Sequence, residues 1–255
     1  MPASTTHKHP SGRTITFSEA GHTYTDETGA TYRSVSSVIK QFSPPFDAVS
    51  ISQRVAKRRG MTPEAIQAEW RAAGDAACKY GTRVHEVAEW ALESPERALQ
   101  GKQTAHAPTD MAESVVFASA AKEAARIATN AKREGRRVYI EQLLAAPTMK
   151  IAGTCDLLIA TDSEIHLIDW KTNKDLSKTF GQMLGPVAHL NDSPLTKYHI
   201  QINLYWRLIR EAYCHGSELP TMRGSIVHLQ RTGKIETHPV PDMTKEIDAI
   251  LEAIQ

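Results

Sequence analysis

The sequence predicts an α/β protein whose central mixed sheet is flanked by helices. The periodicity gives the order helix, three strands, helix, strand across residues 82–230. Strand Ile165–Lys171 is apolar on both faces, with Ile165 and Leu167 on one and Ile168 and Trp170 on the other, as in a central strand covered on both sides. The 255 residues, 41% hydrophobic and 23% charged, suit one α/β domain with elaborations or two small domains.

Residues 1–12 read as a disordered tail. Thr14–Thr25 and Thr31–Arg33 read as a small hairpin around Asp26-Glu27-Thr28-Gly29, and Ser34–Phe42 as a short helix ended by Pro44-Pro45. Thr62-Pro63 is a helix start, a cap followed by proline at the first position. Helical pattern runs from Pro63 to Leu92, with Gly74 and Gly81 as possible interruptions. A Gly-, Pro- and Thr-rich loop spans 93–109, and Ala-rich Asp110–Glu134 is helical. Arg137–Ala145, Met149–Ala160 and Glu164–Lys171 are strands. An irregular stretch reaches Pro194, of a length often found in functional loops. Thr196–Tyr213 is a helix, Arg223–Gln230 and Lys234–Val240 a hairpin, and Thr244–Ile254 a final amphipathic helix. The expected organisation is a tail (1–12), an N-terminal elaboration (13–60) and a main domain (61–255), together one continuous unit.

The segment Gly153–Lys171 carries the chemistry. A two-residue loop at Asp162-Ser163 pairs Thr161 with Glu164. Facing residues of that antiparallel pair then sum to 325, as Asp156 and Asp169 do, which puts the two carboxylates opposite each other about 5 Å apart. Lys171, two residues on, shares their face. Like charges placed opposite destabilise a strand pair. A hard divalent cation, Mg²⁺ or Mn²⁺, removes that penalty. Asp169-Trp170-Lys171 alone reads as a surface ion pair, since such a tripeptide arises by chance about once in a chain this long.

Other candidates stand further off. His85 and Glu89, at i and i+4, share a helix face, although a lone helical histidine is more often partly buried and hydrogen-bonded; His85-Glu86-Val87-Ala88-Glu89 lacks the second histidine of a zinc protease. Glu141 approaches Asp156 if the loop at Pro147-Thr148 has an even count. Gln201 and Tyr205 share a face of their helix and alone read as a polar flank. The net charge of +1 announces no global attraction to nucleic acid. The local basic runs Arg54, Lys57, Arg58, Arg59 and Lys132, Arg133, Arg136, Arg137 read equally as solvated helix faces. Three scattered cysteines without C-x-x-C oppose a disulfide framework, a zinc site or an iron–sulfur cluster, and fit a reducing compartment. The chain has no apolar run of membrane-spanning length and no secretory signal pattern. The acid-free, Ser/Thr-rich first 17 residues only faintly suggest a transit peptide.

In order, GTRVH (81–85), Glu141, GTCD (153–156), DWKT (169–172) and QINLY (201–205) resemble the RecB-like branch of the PD-(D/E)XK nuclease superfamily. The match covers about half of the chain. The wider layout is similar to phage exonucleases and the mitochondrial genome-maintenance exonuclease. The resemblance implies a restriction-endonuclease-like αβββαβ core and a metal-dependent exonuclease acting on single- or double-stranded DNA ends. It implies Asp156, Asp169, the Trp170 carbonyl oxygen and His85 as ligands of Mg²⁺ or Mn²⁺, and Glu141 as ligand of a second ion or its water. It also implies that Lys171 would orient the attacking water, and that Gln201, Tyr205, Thr172 and Arg83 would shape the site or contact DNA. No iron–sulfur cluster is expected. The implied setting is the cytoplasm of a bacterial or phage-infected cell, in recombination, repair or degradation of DNA, with a mitochondrial setting second. The competing readings are a catalytically silent DNA- or protein-binding module, and an endonuclease or RNA-processing enzyme using the same site.

Overall fold

In a computed structural model that describes residues 4–102, 106–214 and 219–254, four short strands open the chain. They are β1 (Ser4–Lys8), β2 (Thr14–Ser18), β3 (Thr23–Asp26) and β4 (Thr31–Ser34), each antiparallel to the next. Residues 4–8 are thus a paired strand and not a disordered tail. Five mostly polar residues offer no apolar alternation to read, and the strand is held by backbone pairing to β2 and by buried His9, whose Nε2 donates to the Ala145 carbonyl at 3.0 Å. The expected single hairpin is a meander, because a second turn at residues 19–22 splits Thr14–Thr25.

Three helices follow: α1 (Val35–Gln41), α2 (Ala48–Arg59) and the 31-residue α3 (Pro63–Glu93). The sequence reading did not place α2, although its caps are legible. The Asp47 side chain accepts from Ser50 N–H, and Gly60 ends the helix with φ at 65°. Gly74 and Gly81 do not interrupt α3. Within the expected 93–109 loop lies α4 (Pro95–Leu99), while residues 103–105 fall outside the described residues. Then come α5 (Met111–Arg133), β5 (Arg137–Ala146), β6 (Ile151–Ala160), β7 (Glu164–Lys171), α6 (Pro194–Ala212), β8 (Thr221–Leu229), β9 (Ile235–Pro239) and α7 (Thr244–Ala253). The order α3, β5, β6, β7, α6, β8 is the expected αβββαβ core, with α5 inserted after the first helix.

Among the described residues the strands form one nine-stranded mixed sheet, in which β4–β6 and β7–β8 are parallel. Helices cover both faces. α1, α6 and α7 pack on Leu158, Leu167 and Ile226, and α3 and α5 on Leu157, Ile168, Trp170 and Val227. β7 therefore divides as its sequence implies, Ile165 and Leu167 toward α6, Ile168 and Trp170 toward α3 and α5. The stretch between β7 and α6 is irregular but packed, with Leu176, Met183 and Val187 buried.

The pairing of β6 positions the site. β5 runs along one edge of it, while the other edge is shared, β4 pairing at Ile151–Ala152 and β7 at Leu157–Ala160. Residues 153–156 lie in the fork between the two neighbours, where the sheet opens.

Candidate metal centre

The β6–β7 register is the one the two-residue loop requires. Leu157 pairs with Ile168 and Ala160 with Ile165, and Thr161 N–H donates to the Glu164 carbonyl at 2.8 Å. The Thr161 hydroxyl fixes the turn by accepting from Glu164 N–H at 2.9 Å. Asp156 and Asp169 are the next facing pair beyond Leu157 and Ile168. There the ladder gives way to a side-chain bond, with Trp170 N–H donating to Asp156 Oδ2 at 2.8 Å. In the fork this contact satisfies a backbone donor that has lost its strand partner.

On the other edge, Ile140 pairs with Leu157 and Gln142 with Cys155, so Glu141 lies across from Asp156. The four-residue connection 147–150 supplies the even count that this register needs. Glu141 has φ at 46°, a left-handed conformation uncommon for a side chain with a Cβ. Such a backbone costs on the order of 1–3 kcal/mol and concentrates at functional sites. Three acidic residues, Glu141, Asp156 and Asp169, thus form a row across β5, β6 and β7.

α3 brings His85 to this row, its Nδ1 3.5 Å from Asp156 Oδ2. His85, Glu141 and Asp156 each present one ligand atom, all within 4.8 Å of one another. Asp169 lies outside that triplet. It is 1% exposed, its Oδ2 is 2.5 Å from Lys171 Nζ, and its Oδ1 accepts from Gln201 Nε2 at 3.3 Å. One imidazole and neighbouring carboxylates are a donor set for Mn²⁺ or Mg²⁺, and the crowding of negative charge gives a cation something to neutralise.

Electrostatics record that crowding. Glu141 is exposed as a residue, but desolvation of its carboxyl within the crowded row, reinforced by Asp156, Glu89 and Asp169, pushes it up to about 8. Burial also lifts Asp169 to about 6, with Lys171 opposing and Asp156 adding to the rise. Burial works against the Lys171 ammonium, yet Asp169 and then Asp156 outweigh it and hold its pKa above the ordinary lysine value.

α6 closes the other side. Gln201 Nε2 also lies 3.1 Å from the Tyr205 hydroxyl, which donates to the Thr154 carbonyl at 2.7 Å. The sheet fork leaves this carbonyl without a strand partner, and Tyr205 supplies one. Gly153 makes room for it, since a Cβ there would stand 2.7 Å from Tyr205 Cε1. Thr172, just past β7, sits against α3, its Oγ1 3.4 Å from where a Gly81 Cβ would be.

Arg83 does not join the site. It is two residues from His85, about 200° around the helix. It pairs instead with Glu113 Oε1 on α5 at 2.8 Å and donates to the Ala107 carbonyl at 2.5 Å, its guanidinium over the Phe117 ring. The two basic runs are partly spent on ion pairs: Arg59 with Glu69, Arg136 with Glu164 and Arg137 with Asp162.

Sequence reasoning missed two site residues. The Tyr198 ring lies 4.4 Å from Lys171 Nζ, and its hydroxyl donates to Asn173 Oδ1 at 2.6 Å. Its position three residues before Gln201 on the same helix face was the available signal. Tyr24, from the N-terminal meander, reaches Thr154 Oγ1 at 3.2 Å, a long-range contact with no local signal. Tyr24, His85, Glu89, Glu141, Gln201 and Tyr205 line one cleft of about 580 Å³.

No curated protein sequence matches the chain. Among solved structures it is similar to the crystal structure of SSO0001, at 12% identity over 66% of this chain and 73% of that one, with a TM-score of 0.25. That likeness is too slight to bear on the fold or the site. The family comparison is decisive: the model describing the PD-(D/E)XK nuclease superfamily matches residues 57–255, which include the acidic row, Lys171 and the helices on both sides of them. The chain belongs to the PD-(D/E)XK nuclease superfamily.

Proposed function

We propose that this protein is a metal-dependent deoxyribonuclease of the RecB-like branch that hydrolyses phosphodiester bonds at DNA ends. The observation that carries the reading is the row Glu141, Asp156, Asp169, with His85 and Lys171 beside it, next to a cleft that His85, Glu141 and Gln201 line. Asp156, Asp169, His85 and the Trp170 carbonyl oxygen would hold Mg²⁺ or Mn²⁺, and Glu141 a second ion or its water. When bound, the cation supplies Lewis-acid polarisation of the phosphate and lowers the pKa of water.

The chain's own groups do the rest. Lys171 is held charged by Asp169, so it can orient the attacking water and stabilise negative charge that develops in the transition state. Asp169, gripped by Gln201 and Lys171, fixes the lysine's direction. Tyr205 and Gln201 brace the open strand of β6, and Thr172 packs the end of β7 against the His85 helix. The exonuclease reading and a role in DNA recombination, repair or degradation rest on the ordered motifs. Three cysteines without disulfides, Cys78, Cys155 and Cys214, support a reducing cytoplasm such as that of a bacterial or phage-infected cell. No described helix is long and apolar enough to cross a membrane.

The test is a time course on 5′- and 3′-labelled single- and double-stranded linear DNA, closed circular DNA and RNA, with Mg²⁺ or Mn²⁺ and with EDTA. Loss of label from linear DNA ends, stopped by EDTA and by Asp156→Asn, is expected. Equal cutting of closed circles makes the protein an endonuclease, and cutting of RNA alone makes it an RNA-processing enzyme. Metal-independent DNA binding without hydrolysis makes it a silent binding module.

A further inference from the structure

A second group of ligand-type side chains lies beside the strand that carries Lys171. β8 and β9 pair with His228 directly opposite Glu236. His238, two residues further along β9, shares their face. One ligand atom from each of the three lies within 4.8 Å of the other two. They open onto a cavity of about 680 Å³ shared with residues 173–178, and none of its lining residues belongs to the nuclease cleft.

Two details distinguish this group from ordinary polar neighbours. His228 Nε2 is 2.7 Å from the Asn173 carbonyl oxygen. A carbonyl only accepts, so the ring proton is on Nε2 and Nδ1 carries the lone pair. This second partner, fixing tautomer and ring orientation, is what metal-ligating histidines have. His238 Nε2 is buried without a hydrogen-bond partner, and Glu236 Oε2 is 3.9 Å from it, beyond hydrogen-bond range. Lys234 takes the other oxygen, Glu236 Oε1, at 2.6 Å, which leaves Oε2 facing the imidazole.

We propose that His228, Glu236 and His238 form a second metal site, for a Zn²⁺-type transition-metal ion, separate from the nuclease centre. Two imidazoles and one carboxylate match Zn²⁺, whereas Mg²⁺ takes oxygen ligands. Three protein donors leave a fourth position to water from the cavity. The site's place gives it a structural task. His228 is the register partner of Lys171, and it holds the carbonyl of Asn173, whose side chain binds Tyr198 beside the Lys171 ammonium. An ion here clamps the β8–β9 hairpin next to the segment leaving β7.

The experiment uses the full chain carrying Asp156→Asn and His85→Gln, so that Zn²⁺ bound at the nuclease centre does not obscure the result. Titration against a chromophoric chelator should find one Zn²⁺ per chain, undisturbed by millimolar Mg²⁺. Adding His238→Gln or Glu236→Gln should weaken that binding at least about 10-fold, the scale seen when even an outer partner of a metal ligand is lost. Co²⁺ in place of Zn²⁺ should give visible absorption that His238→Gln abolishes. No bound Zn²⁺, or binding unchanged in both added variants, overturns the site. Glu236→Gln is nearly isosteric on a surface strand, so it remains informative if His238→Gln does not fold.

Discussion

The Tyr205 hydroxyl donates to the Thr154 carbonyl at 2.7 Å, in the fork where the edge of β6 passes from β4 to β7. A helix side chain therefore completes a backbone hydrogen bond that the sheet cannot make. Tyr205→Phe keeps the ring's packing and removes that donor, leaving a buried carbonyl unsatisfied. The expected cost is about 1–3 kcal/mol of stability, read by urea unfolding. Gln201 also loses a partner, so nuclease turnover should fall with it. A variant as stable and as active as the parent would show that the fork does not depend on this bond.

The ion pair of Lys171 with Asp169 leads to a pH-sensitive penalty. Asp169 is 1% exposed, and Lys171→Met leaves its carboxylate without a counter-charge. Breaking a buried pair in this way costs roughly 3–5 kcal/mol. The carboxyl already sits up at about 6, so at pH 5 it is protonated and most of that cost disappears. Urea unfolding in EDTA should show Lys171→Met strongly destabilised at pH 8 and only slightly at pH 5. Turnover at pH 8 with Mn²⁺ should fall by about 10²–10³, the scale for losing one transition-state electrostatic partner.

The Asp156–Asp169 part of the acidic row was legible because one short connection fixed its strand register, while the place of Glu141 hung on the length of a second. The loop at Asp162-Ser163 sets β6 against β7, and the four residues 147–150 set β5 against β6. In a strand ladder such a count propagates without loss, so Asp156 and Asp169 fall into line from arithmetic alone, whereas Glu141 stayed conditional because strand ends expected at Ala145 and Met149 leave an odd connection and the actual ends at Ala146 and Ile151 leave an even one. Long-range contacts carried no such count. The pairing of β4 with β6 that opens the fork, the anchoring of β1 through His9 and the approach of Tyr24 to Thr154 join residues over 100 positions apart. Arg83 shows a different limit. Its motif neighbours His85 in sequence, but helix rotation turns it to α5.

Metal binding and pH should be linked with a definite sign. Glu141 and Asp169 have ordinary values of 4.5 and 3.8, raised in the folded chain to about 8 and about 6. Between about pH 4 and pH 8 these two carboxyls therefore hold more protons in the metal-free folded state than in the unfolded state, while His7, His166 and His199, lowered by burial, act in the opposite sense. The contribution of the two carboxyls to stability falls as pH rises through that window. Lys171, itself raised, titrates above this range and does not reverse the trend. A divalent cation replaces those protons, so its apparent affinity climbs from pH 6 to pH 8. Thermal melts with EDTA and with Mn²⁺ should give a larger metal-induced rise in Tm at pH 8.5 than at pH 5.5. Equal rises at both pH values would mean that the cation does not meet these two carboxyls.

Arg83 should behave as a structural residue and not as a DNA contact. Its guanidinium bridges Glu113 at 2.8 Å and the Ala107 carbonyl at 2.5 Å, and Glu113 is only 6% exposed. Thr109 also binds Glu113 through N–H and hydroxyl, at 2.6 and 2.7 Å. These bonds hold the carboxyl below its ordinary value despite burial, so it stays ionised at neutral pH. Arg83→Ala removes the counter-charge from that carboxylate and loosens α3 from α5. The Thr109 bonds soften the effect, so a cost of about 2–4 kcal/mol is expected, below or within the range for a broken buried pair. The companion variant Glu113→Gln, which removes the charge but keeps the shape, should recover part of it in the double substitution. Below the melting transition, KM for DNA should stay within about twofold of the parent, since a lost phosphate contact instead weakens binding and lowers its salt dependence. A raised KM with a shallower salt slope and an unchanged Tm would return Arg83 to the DNA surface.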